Sequence, residues 1–173
     1  MLPVHVVRLV ALGALWLVAS QADAVEPRYI YQWFLSEEDT YEIKPPIADR
    51  GGELVVGGDA HFHGAYFCSP DDEFICVIGW TFAFAVPRVL GTQDRWQYRD
   101  QTWEVTKRDV AITIFGTRVA GLMQVTTHER DEDGARDFVF LYSPASGLLA
   151  FSWHPGGTYW LRGTTGFGSH RGE

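Results

Sequence analysis

The chain has 173 residues, of which 46% are hydrophobic and 14% aromatic, with 22 Asp+Glu against 14 Lys+Arg and a formal net charge of −8. That aromatic content excludes a disordered chain, because the apolar surface offsets the entropy of ordering, and the length points to one domain able to bury its own core. The acidic balance excludes a nucleic-acid binder and an anionic-membrane binder, since both need Lys and Arg to neutralise phosphate.

The N-terminal residues 1–24 read as an export signal. Arg8 supplies the positive end, Leu9 to Ala19 the apolar run, and Ala22-Asp23-Ala24 a small-x-small cleavage site. The run is too short for the roughly 20 residues of a spanning helix, so no membrane span is expected after its removal. The mature chain then begins near Val25 and is periplasmic or secreted. There is no Asn, and Lys44 and Lys107 are outnumbered by twelve Arg, a bias that fits GC-rich bacterial coding.

Beyond the signal, no long stretch keeps apolar residues at helical spacing. Alternation and turn residues predict strands at 28–35, 40–44, 53–57, 59–68, 74–86, 95–98, 101–107, 109–115, 118–128, 136–142, 148–153 and 158–162. Short gaps between them favour antiparallel hairpins. The expected fold is all-β, an antiparallel meander forming a barrel or sandwich over 25–162, followed by a flexible Gly-rich tail at 163–173.

In the first strand Tyr29, Tyr31 and Trp33 alternate, as an exposed ligand-binding stripe or as part of the core. Next, His61 and His63 lie two apart, so in a strand both project from one face about 7 Å apart and could share a metal with a third ligand. Asp59, Glu53, His128 and His154 are the nominees for that ligand. Two hydrogen-bonded imidazoles are the plainer reading, and no other cofactor is expected.

Cys68 and Cys76 are the two cysteines of a chain bound for an oxidising compartment, which predicts a disulfide-linked hairpin. Pairing Cys68 with Cys76 sets Tyr66 against Ile78, Phe67 against Val77, Gly64 against Trp80 and Phe62 against Phe82. The opposite face then carries His61 with Ala83 and His63 with Thr81. Those small neighbours would leave a shallow concavity for a ligand at His61, His63 and Thr81.

Further on, Trp96 is expected against Trp103 and Arg95 against Glu104, although Arg99-Asp100 is poor chemistry for a two-residue turn. Asp131-Glu132-Asp133-Gly134 lacks the spacing of a calcium loop and reads as a charged hairpin turn. Phe138, Phe140 and Tyr142 lead through Ser143–Gly147 into Leu149, Phe151 and Trp153, a hairpin that sets Phe140 against Leu149 and Phe138 against Phe151. Glu37-Glu38-Asp39 and Asp71-Asp72-Glu73 read as solvated loop tips able to attract a basic partner.

No Gly-x-Ser-x-Gly, phosphate loop or His-Glu-x-x-His occurs, so nothing local points to catalysis. Over residues 143–163, Ser143-Pro144-Ala145-Ser146-Gly147 and Trp160-Leu161-Arg162-Gly163 resemble the Ser-Ala-Ser-Gly and Trp-x-Lys-Gly elements of periplasmic C-type lysozyme inhibitors, with Arg162 in place of Lys. The resemblance implies a small exported β-barrel that inserts Ser146 and Arg162 into a lysozyme's active cleft. Taken together, the expectation is an envelope protein that acts by binding a protein partner or small ligand. The alternatives are a lysozyme inhibitor and a metal site on the His61/His63 face.

Overall fold

The computed structural model describes residues 26–36, 38–47, 50–57, 61–79, 82–131, 134–154 and 156–170, with backbone only at 61–63, 128–131, 134–136 and 154. The predicted export signal, Asp59, Trp80 and Thr81 lie outside the described residues. The fold is all-β and antiparallel. Its strands are β1 Tyr29–Trp33, β2 Thr40–Lys44, β3 Glu53–Val56, β4 His61–Gly64, β5 Tyr66–Phe67, β6 Phe74–Ile78 and β7 Ala83–Pro87. They continue as β8 Arg95–Tyr98, β9 Gln101–Ile114, β10 Thr117–Asp131, β11 Gly134–Ser143, β12 Gly147–His154 and β13 Thr158–Leu161.

Ten strands form one sheet in the order β4-β3-β2-β1-β13-β12-β11-β10-β9-β8, and β5-β6-β7 form a second. Within β1–β4, β5–β7 and β8–β13, strands that follow one another in sequence pair antiparallel, and the first strand joins the last through Tyr31 against Leu161 and Trp33 against Tyr159. The expected barrel does not close. Pro87, which has no amide for a ladder, ends β7, and among the described residues no ladder joins β7 to β8. Side-chain contacts cross from β8 to the small sheet instead, from Trp96 Nε1 to the Ala85 carbonyl at 3.1 Å and from the Tyr98 hydroxyl to the disulfide sulfurs. The small sheet packs on the large one through Phe84, whose ring lies 5.4 Å from Phe140 and 5.6 Å from Tyr142.

The disulfide joins Cys68 to Cys76, and Tyr66 pairs with Ile78 and Phe67 with Val77 as expected. The continuation of that ladder is different. The predicted strand 59–68 is split at Ala65, its first half pairing with β3 and its second with β6. The predicted strand 74–86 folds back after Ile78, with the Gly79 amide donating to the Phe82 carbonyl at 2.7 Å. A Cβ on Gly79 would sit 2.6 Å from Leu54 Cδ2, so glycine lets the chain turn there against β3 without displacing that buried side chain. Hence His61 pairs with Val56, His63 with Leu54 and Ala83 with Ile78, and the Phe62 to Phe82 pairing does not form.

Trp96 stands against Trp103 and Arg95 against Glu104, as read from the sequence. Arg99 adopts a left-handed φ of 54°, its guanidinium 5.0 Å from the Tyr66 ring centre. The predicted strands 101–107 and 109–115 are one strand, in which Asp109 at φ 55° accompanies shifts in register instead of a turn. In the β11–β12 hairpin Phe140 pairs with Phe151 and Phe138 with Trp153, two residues from the expected register. One residue of the offset comes from the turn, where Ser143 pairs with Gly147, and one from a bulge near Leu149; the even total keeps the aromatic residues on the same face.

The segment expected as a flexible tail is held down over 166–170. Gly166 and Leu148 amides donate to Ser146 and Phe167 carbonyls, both at 2.8 Å, and the His170 amide to Pro144 at 2.9 Å. Phe167 is buried, because its ring fills the space beside Tyr29, Phe67 and Phe84.

Candidate binding surface

The connection between β1 and β2 is a built turn. Its backbone is closed by the Trp33 amide donating to Asp39 (3.0 Å) and the Ser36 amide donating to Trp33 (3.3 Å). Ser36 Oγ accepts from the Asp39 amide, and the Asp39 carboxylate accepts from the Tyr159 hydroxyl at 2.8 Å. This bracing holds out two adjacent large apolar side chains, Phe34 at 79% and Leu35 at 76% exposure. Glu38, beside them, is exposed.

At the opposite end, β9 turns into β10 through Phe115 and Gly116, with φ of 46° and 81°. Two left-handed residues make a type I′ hairpin, in which Asn-Gly is the usual pair and a phenylalanine is strained. The Phe115 ring is 72% exposed. Beside it opens a recess of about 210 Å3, with Ile114, Val119 and Leu149 on its apolar side and Arg162 among its lining.

Arg162 is exposed and donates through Nε to Gln32 Oε1. Ser146 lies at the same end, its carbonyl accepting from the Gly166 amide, but no hydrogen bond joins Ser146 to Arg162 among the described residues. A second recess, of about 250 Å3, lies between the disulfide hairpin and 167–170. Against the disulfide itself, the Tyr98 hydroxyl is 3.4 Å and 3.2 Å from the two sulfurs. Burial raises the pKa of that hydroxyl, the Arg99 charge opposing.

The aromatic stripe of β1 is largely turned to the core. Tyr31 is fully buried, and Tyr29 and Trp33 are half-buried against the core, because β1 is a central strand whose odd positions face Phe151 and Phe167. For His61 and His63 the structure gives strand positions only. Of the residues named as third ligands, Glu53 pairs with Lys44 at 3.5 Å, whereas His128 and His154 lie on β10 and β12. Not every acidic residue is simply solvated, since Asp39 takes the Tyr159 hydroxyl and Asp72 accepts from the Ser69 amide at 2.6 Å.

Phe34, Leu35 and Phe115 were not singled out by sequence reasoning. Apolar residues next to Ser-Glu-Glu-Asp, or just before a turn glycine, were the available signal. Comparison with family models, with curated proteins and with solved structures finds no match for this chain.

Proposed function

We propose that this chain is an exported envelope protein, periplasmic or secreted, that acts by binding a protein partner, with the Phe34–Leu35 turn as a contact point. The observation that carries the reading is the exposure of two adjacent large apolar side chains on a turn braced from within. Water disfavours such a pair, and a partner's pocket can bury an apolar tip held by hydrogen bonds at its base at a lower ordering cost than an unbraced one. The disulfide and the signal-like N-terminus support the compartment. The test is capture from periplasmic extract by wild-type protein and by a Phe34→Ser/Leu35→Ser variant. Wild type is expected to recover a partner that the variant loses at unchanged thermal midpoint. Equal recovery by both would remove the turn from the interface, and repeated failure with folded wild type would remove the reading.

A lysozyme inhibitor is the second reading, favoured by the exposed Arg162 beside the recess and by Ser146 at the same end. A lysozyme turnover assay with excess protein decides it. Inhibition that disappears in Arg162→Ala supports the reading, and full turnover with wild type excludes it.

A further inference from the structure

The ladders bring together three chemistry-bearing residues that no local motif connects. His128 on β10 pairs with Asp137 on β11, and Asp137 pairs with His154 on β12. Residues directly opposite in antiparallel ladders share a face and have Cα atoms roughly 4.5–5.5 Å apart. Asp137 is exposed, whereas Thr127 and Phe138, the neighbouring residues on β10 and β11, are buried. The row therefore belongs to the outer face of the large sheet.

We propose that His128, Asp137 and His154 form a binding site for a divalent transition-metal ion of the zinc type. Histidine holds both flanking positions and aspartate the middle one, so three residues of metal-ligating type stand side by side on adjacent strands. Two imidazole nitrogens and one carboxylate oxygen make a donor set suited to zinc, whereas calcium and magnesium take shells of oxygen. Three protein ligands leave the fourth tetrahedral position to water or to a ligand, the pattern of zinc sites that act on a substrate. The next row on this face, Thr126, Val139 and Ser152, continues on β9 into Glu104, which is bonded to Arg95, and in the row on the other side Arg130 pairs with Ala135.

This site is separate from the His61/His63 pair, since β4 stands five strands from β12 in the sheet order. It also stands independently of the partner-binding reading.

The test is titration of EDTA-stripped protein with zinc(II) by calorimetry, with cobalt(II) absorption as a second readout. One equivalent of zinc is expected to bind and raise the thermal midpoint, and cobalt should give four-coordinate visible bands. His128→Ala, His154→Ala and Asp137→Asn should each weaken binding by more than the roughly 10- to 100-fold that an outer-shell partner is worth. His61→Ala/His63→Ala should leave binding intact. Circular dichroism checks that each variant is folded, and His128→Asn and His154→Asn serve if the alanines are not. The proposal fails if wild type binds no stoichiometric metal, if binding survives loss of both His128 and His154, or if only the His61/His63 variant abolishes it.

Discussion

Three tyrosine hydroxyls do polar work at the margins of an aromatic core. Tyr31 donates to the Leu148 carbonyl at 2.8 Å and accepts from the Phe167 amide at 3.3 Å, joining β1 to β12 and to the C-terminal segment. Tyr142 donates to the Gly168 carbonyl at 3.2 Å, and Tyr159 to Asp39. Burial raises the pKa of all three, and for Tyr159 the bonded Asp39 carboxylate adds to the effect. In the unfolded chain these phenols ionise near the ordinary value of about 10. The folded state holds their protons longer, so the associated stability is complete below about pH 10 and falls as pH rises through the higher folded values. Urea midpoints measured up to about pH 12 should therefore stay level and then drop. Tyr31→Phe should make that drop shallower, and at neutral pH it should cost about 1–3 kcal/mol by leaving the buried Leu148 carbonyl without its donor.

Among the elements, the disulfide hairpin and the β8–β9 hairpin were the most legible in the sequence, because each has partners that identify one another. Cys68 needs Cys76, and a tryptophan and an arginine find a tryptophan and a glutamate at matching positions. The bridge closes a short ring, for which the chain-entropy relation gives roughly 2.5 kcal/mol. A Cys68→Ala/Cys76→Ala variant should lose about that much in urea unfolding and keep its β-sheet circular dichroism; loss of all structure would show that the bridge specifies the fold. Register was less legible. The two-residue offset that sets Phe140 against Phe151 comes half from a shorter turn and half from a bulge, neither of which has a strong sequence mark, and alternation survives because the total shift is even. The fold-back after Ile78 was hidden for another reason. In β6 and β7 both faces are buried, with Cys76, Val77, Phe84 and Ala85 all inside, so an unbroken apolar run conceals the place where one strand ends and the next begins.

For the whole molecule, the closing element is the C-terminal segment that the sequence presents as a glycine-rich tail. Gly166 passes so near β12 that a Cβ would lie 1.8 Å from the Leu148 carbonyl oxygen, so the glycines serve close approach as well as freedom. Truncation after Arg162 removes the Phe167 ring and its backbone bonds. Burial of one such ring is worth about 1.5–3 kcal/mol, and the thermal midpoint should fall by several degrees or more. An unchanged midpoint would show that 166–170 only rests on the surface. By itself the sequence determined an all-β chain, most strand positions, the disulfide and the pairing of Trp96 with Trp103, because alternation, turn residues and reactive thiols are local properties. Only the tertiary structure decided that the meander stays open, that Tyr31 is buried, that Phe34 and Phe115 are left outside, and that His128, Asp137 and His154 share one row. Those outcomes depend on which strands become neighbours, and that is set by packing between residues far apart in the chain.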